Sequence, residues 1–288
     1  MRKIPYILGA TVLMMTASSA SAQFIDAGRG NLPLTVPASY DADVPTPLIV
    51  LLHGYTSSGA GQDAYMKFSD LSDHYGFLLV APDGTQEETG RQNRFWNASI
   101  ACCNFGGSDV DDSAYVAKVI DTVKAEHNVD EQRVFLVGHS NGGFMSYRMA
   151  HDHSDTIAAI ASLAGADQSE ARPTPANPVH VLQIHGTADE TIAYAGADIQ
   201  GTAYPGAVET VERWAAHNGC AVTGSETGTL DLDRGLAGRE STVTRYTRDC
   251  RAGGSAELWS IAEGRHVPEL SDHFSKLVVE WLLGHPKP

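Results

Sequence analysis

Apolar positions along the chain fall into two recurring patterns. The first is a short, nearly unbroken apolar run closed by glycine or proline. Leu48–Leu52 runs into His53-Gly54, and Phe77–Ala81 into Pro82-Asp83-Gly84. Val134–Val137 ends at Gly138, Ile157–Leu163 at Ala164-Gly165, His180–Ile184 at His185-Gly186, and Glu257–Ile261 at Ala262-Glu263-Gly264. Runs of this length, apolar on both faces and punctuated by turn residues, predict buried parallel strands. The second pattern has helical spacing. Tyr115, Val116, Val119, Ile120 and Val123 make one stripe behind the acidic start Asp111-Asp112-Ser113, and Phe144–Ala150 opens another helix. Val208, Val211 and Trp214 make a third stripe. Phe274, Leu277, Val278, Trp281 and Leu282 make a fourth, with Ser271-Asp272 as its expected cap and Gly284 and Pro286 behind it. Strands alternating with helices predict an α/β fold with a mostly parallel central sheet and helices on both faces. Val222–Asp249 is polar and Gly-rich and is expected to hold an extra hairpin.

The N-terminal stretch has a different pattern. Arg2 and Lys3 precede an apolar segment from Ile4 to Met15, and Ala20-Ser21-Ala22 offers a small-x-small cleavage site. Residues 1–22 therefore read as a secretory signal peptide, with 23–288 as a single catalytic domain. A transmembrane anchor is the alternative, but the apolar segment is short for a span. Export to an extracellular or periplasmic space permits disulfides. Of Cys102, Cys103, Cys220 and Cys250, the last two bracket the weakly apolar 222–239 stretch and are expected to pair. Cys102 and Cys103 are left as an adjacent disulfide or as thiols. No CxxC pair is present, so no metal is expected.

Composition narrows the chemistry. The 288 residues are 42% hydrophobic and 19% charged, which excludes a disordered chain. A formal charge of −15 repels phosphate backbones, so no nucleic-acid partner is expected. With the leader removed, no membrane association is expected either, and the sequence leaves the oligomeric state open.

In open α/β sheets, ligands bind beyond the carboxyl ends of the strands. The unusual residues lie there. Gly138-His139-Ser140-Asn141-Gly142-Gly143 joins a strand to a helix and matches the G-x-S-x-G nucleophile elbow. The turn is tight enough that side chains two residues either side of the serine would clash, hence the glycines. Serine needs a base, and the base an orienting acid, in the chain order Ser, Asp or Glu, His. Asp189 in His185-Gly186-Thr187-Ala188-Asp189 is the candidate acid, ahead of its neighbour Glu190. His266 in Gly264-Arg265-His266-Val267-Pro268 is the candidate base, ahead of His273. Backbone N–H groups of Asn141 and of Tyr55, in His53-Gly54-Tyr55, are the candidate oxyanion donors. His139 and His185 are read as packing and bracing residues, and Asp111 and Asp112 as a helix cap and a loop brace. Tyr55, Trp96, Tyr194 and Tyr204 are expected either to wall the pocket or to plug the core.

Together with Trp96-Asn97, Ala101-Cys102-Cys103 and Val110-Asp111-Asp112, these motifs resemble the secreted polyhydroxybutyrate depolymerase and feruloyl/acetylxylan esterase group of the α/β-hydrolases. The resemblance extends from about Leu32 to Trp281. It implies Ser140, Asp189 and His266 as a triad, no cofactor, and a serine esterase acting on a hydroxyalkanoate polyester or its oligomers. A feruloyl or acetylxylan esterase acting on polysaccharide-linked esters is the alternative. A non-catalytic binding protein on the same scaffold is the alternative of another class. Members often carry a Gly-rich, Trp-containing stretch around the catalytic histidine, and residues 263–268 depart from it.

Overall fold

The computed structural model describes residues 23–170 and 172–288; the expected leader, 1–22, lies outside them. In chain order the elements are β1 (Gln23–Asp26), β2 (Asn31–Thr35), β3 (Thr46–Leu52), α1 (Gly59–Met66), α2 (Ser69–Tyr75), β4 (Leu78–Val80), β5 (Thr85–Gln86) and β6 (Arg94–Phe95). Then come α3 (Asp112–Glu126), β7 (Val129–His139), α4 (Asn141–Asp152), β8 (Ala159–Leu163), β9 (His180–Gly186), β10 (Gly196–Ile199) and β11 (Thr202–Pro205). The chain closes with α5 (Ala207–His217), β12 (Ser225–Leu230), β13 (Ser241–Tyr246), β14 (Ser255–Ile261) and α6 (Phe274–Leu283).

Ten strands form one sheet in the order β1-β2-β4-β3-β7-β8-β9-β14-β13-β12. The six strands from β4 to β14 run parallel, and each coincides with one of the six runs read from the apolar pattern, β4 and β8 being shorter than their runs. Both margins turn antiparallel, through β1 and β2 on one side and β13 and β12 on the other. The second margin is the hairpin expected in 222–249. It carries a bulge, because Glu226 faces Thr244 and Gly228 faces Val243, leaving Thr227 unmatched.

All seven residues of β3 are buried, which explains the unbroken run. Leu48, Val50 and Leu52 point into a core shared with α3, α4 and α5, including Val116, Phe144 and Trp214. Ile49 and Leu51 point into the opposite core with Met66 of α1 and Phe274, Val278 and Trp281 of α6. Each such apolar side chain contributes about 1.5–3 kcal/mol on burial. Helices thus cover both faces, and the functional loops emerge from the carboxyl edge between them.

The α3 cap lies where the acidic start placed it: Asp111 accepts from the Ala114 N–H at 3.1 Å. The α6 cap does not. His273 occupies the capping position without a side-chain bond; Ser271 lies two residues earlier, where its hydroxyl accepts from the His273 N–H at 3.3 Å and donates to the Asp231 carbonyl at 2.8 Å. Backbone pairing of Asp233 with Leu270 draws the 269–271 segment toward the hairpin and away from the helix.

Both cysteine pairs are disulfide-bonded, Cys220 with Cys250 and Cys102 with Cys103. The first closes a loop of 30 residues. In the chain-entropy account it restricts the unfolded state by about 3–4 kcal/mol. The paired replacement Cys220→Ala with Cys250→Ala is therefore expected to lose about that much unfolding free energy in a denaturant titration. A loss below about 1 kcal/mol would mean that the loop is already ordered without the bridge.

Candidate active site

The elbow between β7 and α4 forces an unusual backbone. Ser140 has φ 54° and ψ −120°, a region that residues other than glycine rarely enter and that costs about 1–3 kcal/mol. A side chain at Gly138 would collide with the Gly142 carbonyl, and one at Gly142 with the carbonyls of Leu52 and His53. Close packing of α4 on the sheet therefore requires both glycines. Ser140 N–H donates to the Leu163 carbonyl at 2.8 Å, and the Ser140 carbonyl accepts from Phe144 N–H at 3.0 Å. The strained turn is held from both sides.

Three strand ends meet here. Ser140 follows β7, Asp189 follows β9 and His266 follows β14. The Ser140 hydroxyl lies 2.9 Å from His266 Nε2, and His266 Nδ1 lies 2.7 Å from Asp189 Oδ2. A carboxylate only accepts, so Nδ1 carries the proton and Nε2 is the acceptor for the hydroxyl. Asp189 Oδ1 accepts from the Thr191 and Ile192 N–H groups, both at 2.8 Å. Burial alone would push the Asp189 carboxyl upward. Hydrogen bonds from His185 and His266, the nearby His266 charge and the Ile192 N–H overcome it and hold the group well below the usual carboxylate range. Glu190 is exposed, and His273 lies at the start of α6.

His185 reaches Asp189 Oδ2 at 3.3 Å and the Ile192 carbonyl at 2.7 Å through Nε2. Its Nδ1 accepts from the Gln183 amide at 2.9 Å, so the proton sits on Nε2. The ring therefore ties the 189–192 turn to β9.

The loop after β3 lies against the elbow. A side chain on Gly54 would stand 3.4 Å from Ser140 Cβ. Thr56 N–H donates to Arg94 and Ser57 N–H to Gly54, whereas Tyr55 N–H has no acceptor among the described residues. Asn141 N–H, the first of α4, has none either. Two backbone donors next to the hydroxyl are what an oxyanion needs. Their supports were not legible in the motifs. The Asn141 side chain bonds the Trp96 N–H at 2.7 Å and the Trp96 carbonyl at 2.9 Å. The Tyr55 hydroxyl bonds Glu87, and Asn93 donates to it at 3.2 Å. Asp112, fully buried, accepts from Thr85, Asn97 N–H and Arg29 and so braces the same loops.

Of the four aromatics weighed for the pocket wall, Trp96 and Tyr204 are buried in the core, and Tyr55 and Tyr194 are half-buried beside the site. Phe105 packs edge-on to Tyr55 at 5.3 Å. Phe105 and Val267 are both large exposed apolar residues, one on the Tyr55 side and one on the His266 side.

The loop carrying His266 is gripped by two donors. His139 Nε2–H donates to the His266 carbonyl at 3.0 Å, and the Tyr65 hydroxyl donates to the Pro268 carbonyl at 2.8 Å. Burial lowers His139 to about 4, offset in part by its bond to the His266 carbonyl, so it stays neutral and keeps this donor role. Tyr65 lies about two hundred residues away in the chain, so no local motif announced it. Tyr65→Phe removes only the hydroxyl. The expected result is a fall in kcat of about tenfold, with KM nearly unchanged, because a loosened base misplaces the proton acceptor rather than the substrate. An unchanged kcat would show that the loop is held without it.

Among the described residues no cluster of His, Cys, Asp or Glu is arranged to hold a metal ion, and no helix is long and apolar enough to cross a membrane.

Residues 34–229 match the model of the family described as Esterase PHB depolymerase. The chain is 33% identical over 143 residues to the poly(3-hydroxyalkanoate) depolymerase C of Paucimonas lemoignei, covering 47% of this chain and 32% of that protein. It is 30% identical over 149 residues to the bifunctional acetylxylan esterase/xylanase XynS20E of Neocallimastix patriciarum, covering 52% of this chain and 20% of that one. Its matches span 20 to 42% of the length of the first curated relatives. The acetyl xylan esterase from Aspergillus awamori superposes with a TM-score of 0.63 at 18% identity, over 91% of this chain and 98% of that one. The fold is that of the α/β-hydrolases, as the strand–helix alternation and the elbow anticipated.

Proposed function

Since the chain belongs to the Esterase PHB depolymerase family, we propose that it hydrolyses carboxylic esters through an acyl-enzyme on Ser140. The observation that carries this reading is the unbroken hydrogen-bonded line from Ser140 through His266 to Asp189. Ser140 Oγ attacks the ester carbonyl carbon while His266 Nε2 takes its proton. Negative charge gathers on the carbonyl oxygen, toward which the N–H groups of Tyr55 and Asn141 are available. Asp189 keeps the proton of the neutral ring on Nδ1 and stabilises the imidazolium. His266 then protonates the departing alkoxide, and the ester bond breaks to leave acyl-Ser140. Water, deprotonated by the same ring, attacks the acyl carbon. The acid departs and the Ser140 hydroxyl is restored.

For the substrate we favour a hydroxyalkanoate polyester or its oligomers. Exposed apolar side chains at Phe105, packed against Tyr55, and at Val267, next in sequence to His266, suit an aliphatic chain. A polysaccharide-linked feruloyl or acetyl ester is the second reading, favoured by the names of the acetylxylan and feruloyl esterase relatives. We further take the protein to act outside the cytoplasm, a reading that the two disulfides support.

A hydrolysis panel tests the assignment: hydroxybutyrate oligomers, polyester film, methyl ferulate, acetylated xylan and short nitrophenyl esters. Turnover of the oligomers above the ferulate and xylan substrates is expected. A fluorophosphonate is expected to label Ser140. Absence of both labelling and turnover would leave a binding protein on a hydrolase scaffold.

A further inference from the structure

Trp96 is fully buried, and the Ser140–His266–Asp189 line gives its indole nothing to do. Its contacts nevertheless reach toward both candidate oxyanion donors. On the elbow side, the Asn141 side chain takes its backbone N–H at 2.7 Å and its carbonyl at 2.9 Å. The residue that carries one donor is thereby locked to Trp96. On the other side, the indole Nε1–H donates to the His53 carbonyl at 3.0 Å. That carbonyl belongs to the peptide unit just before the one that carries the Tyr55 N–H.

The next unit is held as firmly. Gly84 N–H can only donate, so His53 Nε2, 2.8 Å away, accepts, and the ring proton sits on Nδ1. Nδ1–H donates to the Gly54 carbonyl at 2.7 Å, and Ser57 N–H donates to the same carbonyl at 3.1 Å. Burial pushes the His53 ring below its ordinary value, an effect that its bond to Gly54 offsets in part, so the ring stays neutral. In a trans peptide unit the carbonyl and the N–H point opposite ways. Fixing the Gly54 carbonyl therefore aims the Tyr55 N–H. The fixing is needed because position 54 has little room for a side chain: a Cβ there would lie 3.3 Å from His139 Nδ1. Glycine fits, but on its own it leaves both adjoining peptide planes loose.

We propose that Trp96 is a positioning residue of the oxyanion hole: with the His53 ring it joins the Tyr55 and Asn141 N–H groups in one hydrogen-bonded frame and sets the spacing between them. This role rests on the reading of Ser140 as an esterase nucleophile. The frame acts at the tetrahedral stage. A planar ester carbonyl draws weakly on the two donors, whereas an oxyanion draws on both. Loosening the frame slows turnover and leaves substrate affinity alone.

Trp96→Phe keeps a buried aromatic ring and removes the indole N–H. Trp214→Phe is the comparison, because Trp214 is equally buried and its Nε1–H has no acceptor among the described residues. Both variants should melt earlier, since each loses buried volume. Kinetics on nitrophenyl acetate and inhibition by hexyl trifluoromethyl ketone separate them. Ser140 Oγ adds to the ketone carbon, His266 takes the hydroxyl proton, and the carbonyl oxygen becomes an oxyanion. In Trp96→Phe, kcat should fall and the inhibition constant should rise together by about tenfold or more, with KM within about twofold; losing a donor outright costs about 10²–10³. Trp214→Phe should leave all three within about twofold of the parent. A second pair of variants spares the indole. The amide nitrogen of His53→Asn stands where Nδ1 stood and can still donate to Gly54, whereas the amide of His53→Gln stands where Nε2 stood. The asparagine variant should keep the higher kcat, and if Trp96→Phe does not fold this pair decides. An inhibition constant that rises less than about tenfold in Trp96→Phe, an equal rise in Trp214→Phe, or a loss confined to KM would overturn the proposal. So would a glutamine variant as active as the asparagine one. Those outcomes leave ester turnover by the parent intact, whereas a parent that turns over no ester sinks the esterase reading and the frame with it.

Discussion

Ser140→Ala is expected to lower kcat/KM by about 10⁴- to 10⁶-fold while Tm moves by no more than a few degrees. The two readouts separate because the substitution removes one oxygen and nothing else. Both backbone bonds at the elbow, to Leu163 and from Phe144, remain. Alanine meets the same positive φ that serine already tolerates. What disappears is the nucleophile, and neither His139 nor His185 can replace it. His139 is committed to the His266 carbonyl and His185 to the 189–192 turn. Steady-state kinetics on a soluble ester, with a melting curve on the same sample, measure both quantities. Turnover within tenfold of the parent would remove Ser140 from the reaction.

Asp189→Asn is expected to lower kcat by about 10³- to 10⁴-fold, through the proton rather than through the shape. Thr191 and Ile192 N–H groups both point at Oδ1 and demand an acceptor there. The new amide must turn its oxygen toward them and its NH₂ toward His266 Nδ1. The ring then has to accept at Nδ1 and carry its proton on Nε2, where it can no longer accept from Ser140. The same NH₂ group faces the His185 N–H, so stability also falls. Asp189 is depressed below its ordinary value of 3.8 in the folded protein. Its stabilisation is therefore complete above about pH 4 and is lost as pH falls through the lower, native value. The gap in Tm between parent and variant should be full at neutral pH and narrow below pH 4. A gap that widens on acidification would reverse the assigned sign.

The strand ends were legible because the physics there is local. A buried parallel strand must be apolar on both faces, and Leu48–Leu52 and Val134–Val137 are. The elbow was legible because its glycines answer to clashes only a few residues away. The sheet margins were not. β1 and β2 are only four and five residues long and half exposed, and β2 contains Pro33, so too few apolar positions carry the pattern. β12 is almost wholly exposed, and only the polar, Gly-rich character of the 222–249 stretch suggested a hairpin. Residues that steady the site from afar left no signature either. Tyr65 and Glu87 act through contacts with sequence-distant groups, which periodicity does not encode. The α6 cap failed because Ser271 sits two residues before the capping position, and its hydroxyl accepts from the His273 N–H there instead of from the first turn of the helix.

The unmatched Thr227 has a bearing on how these molecules behave at high concentration. β12 is the outermost strand of the sheet, and its far side offers main-chain groups to any extended peptide that drifts past. An extra residue breaks the regular spacing of those groups, and the Arg239 guanidinium covers the Thr229 carbonyl. A neighbouring copy laid alongside would find its rungs out of step after two or three. Such irregularity guards the margin against fibril-like stacking, and deleting Thr227 would trade that protection for a straighter, stickier ribbon.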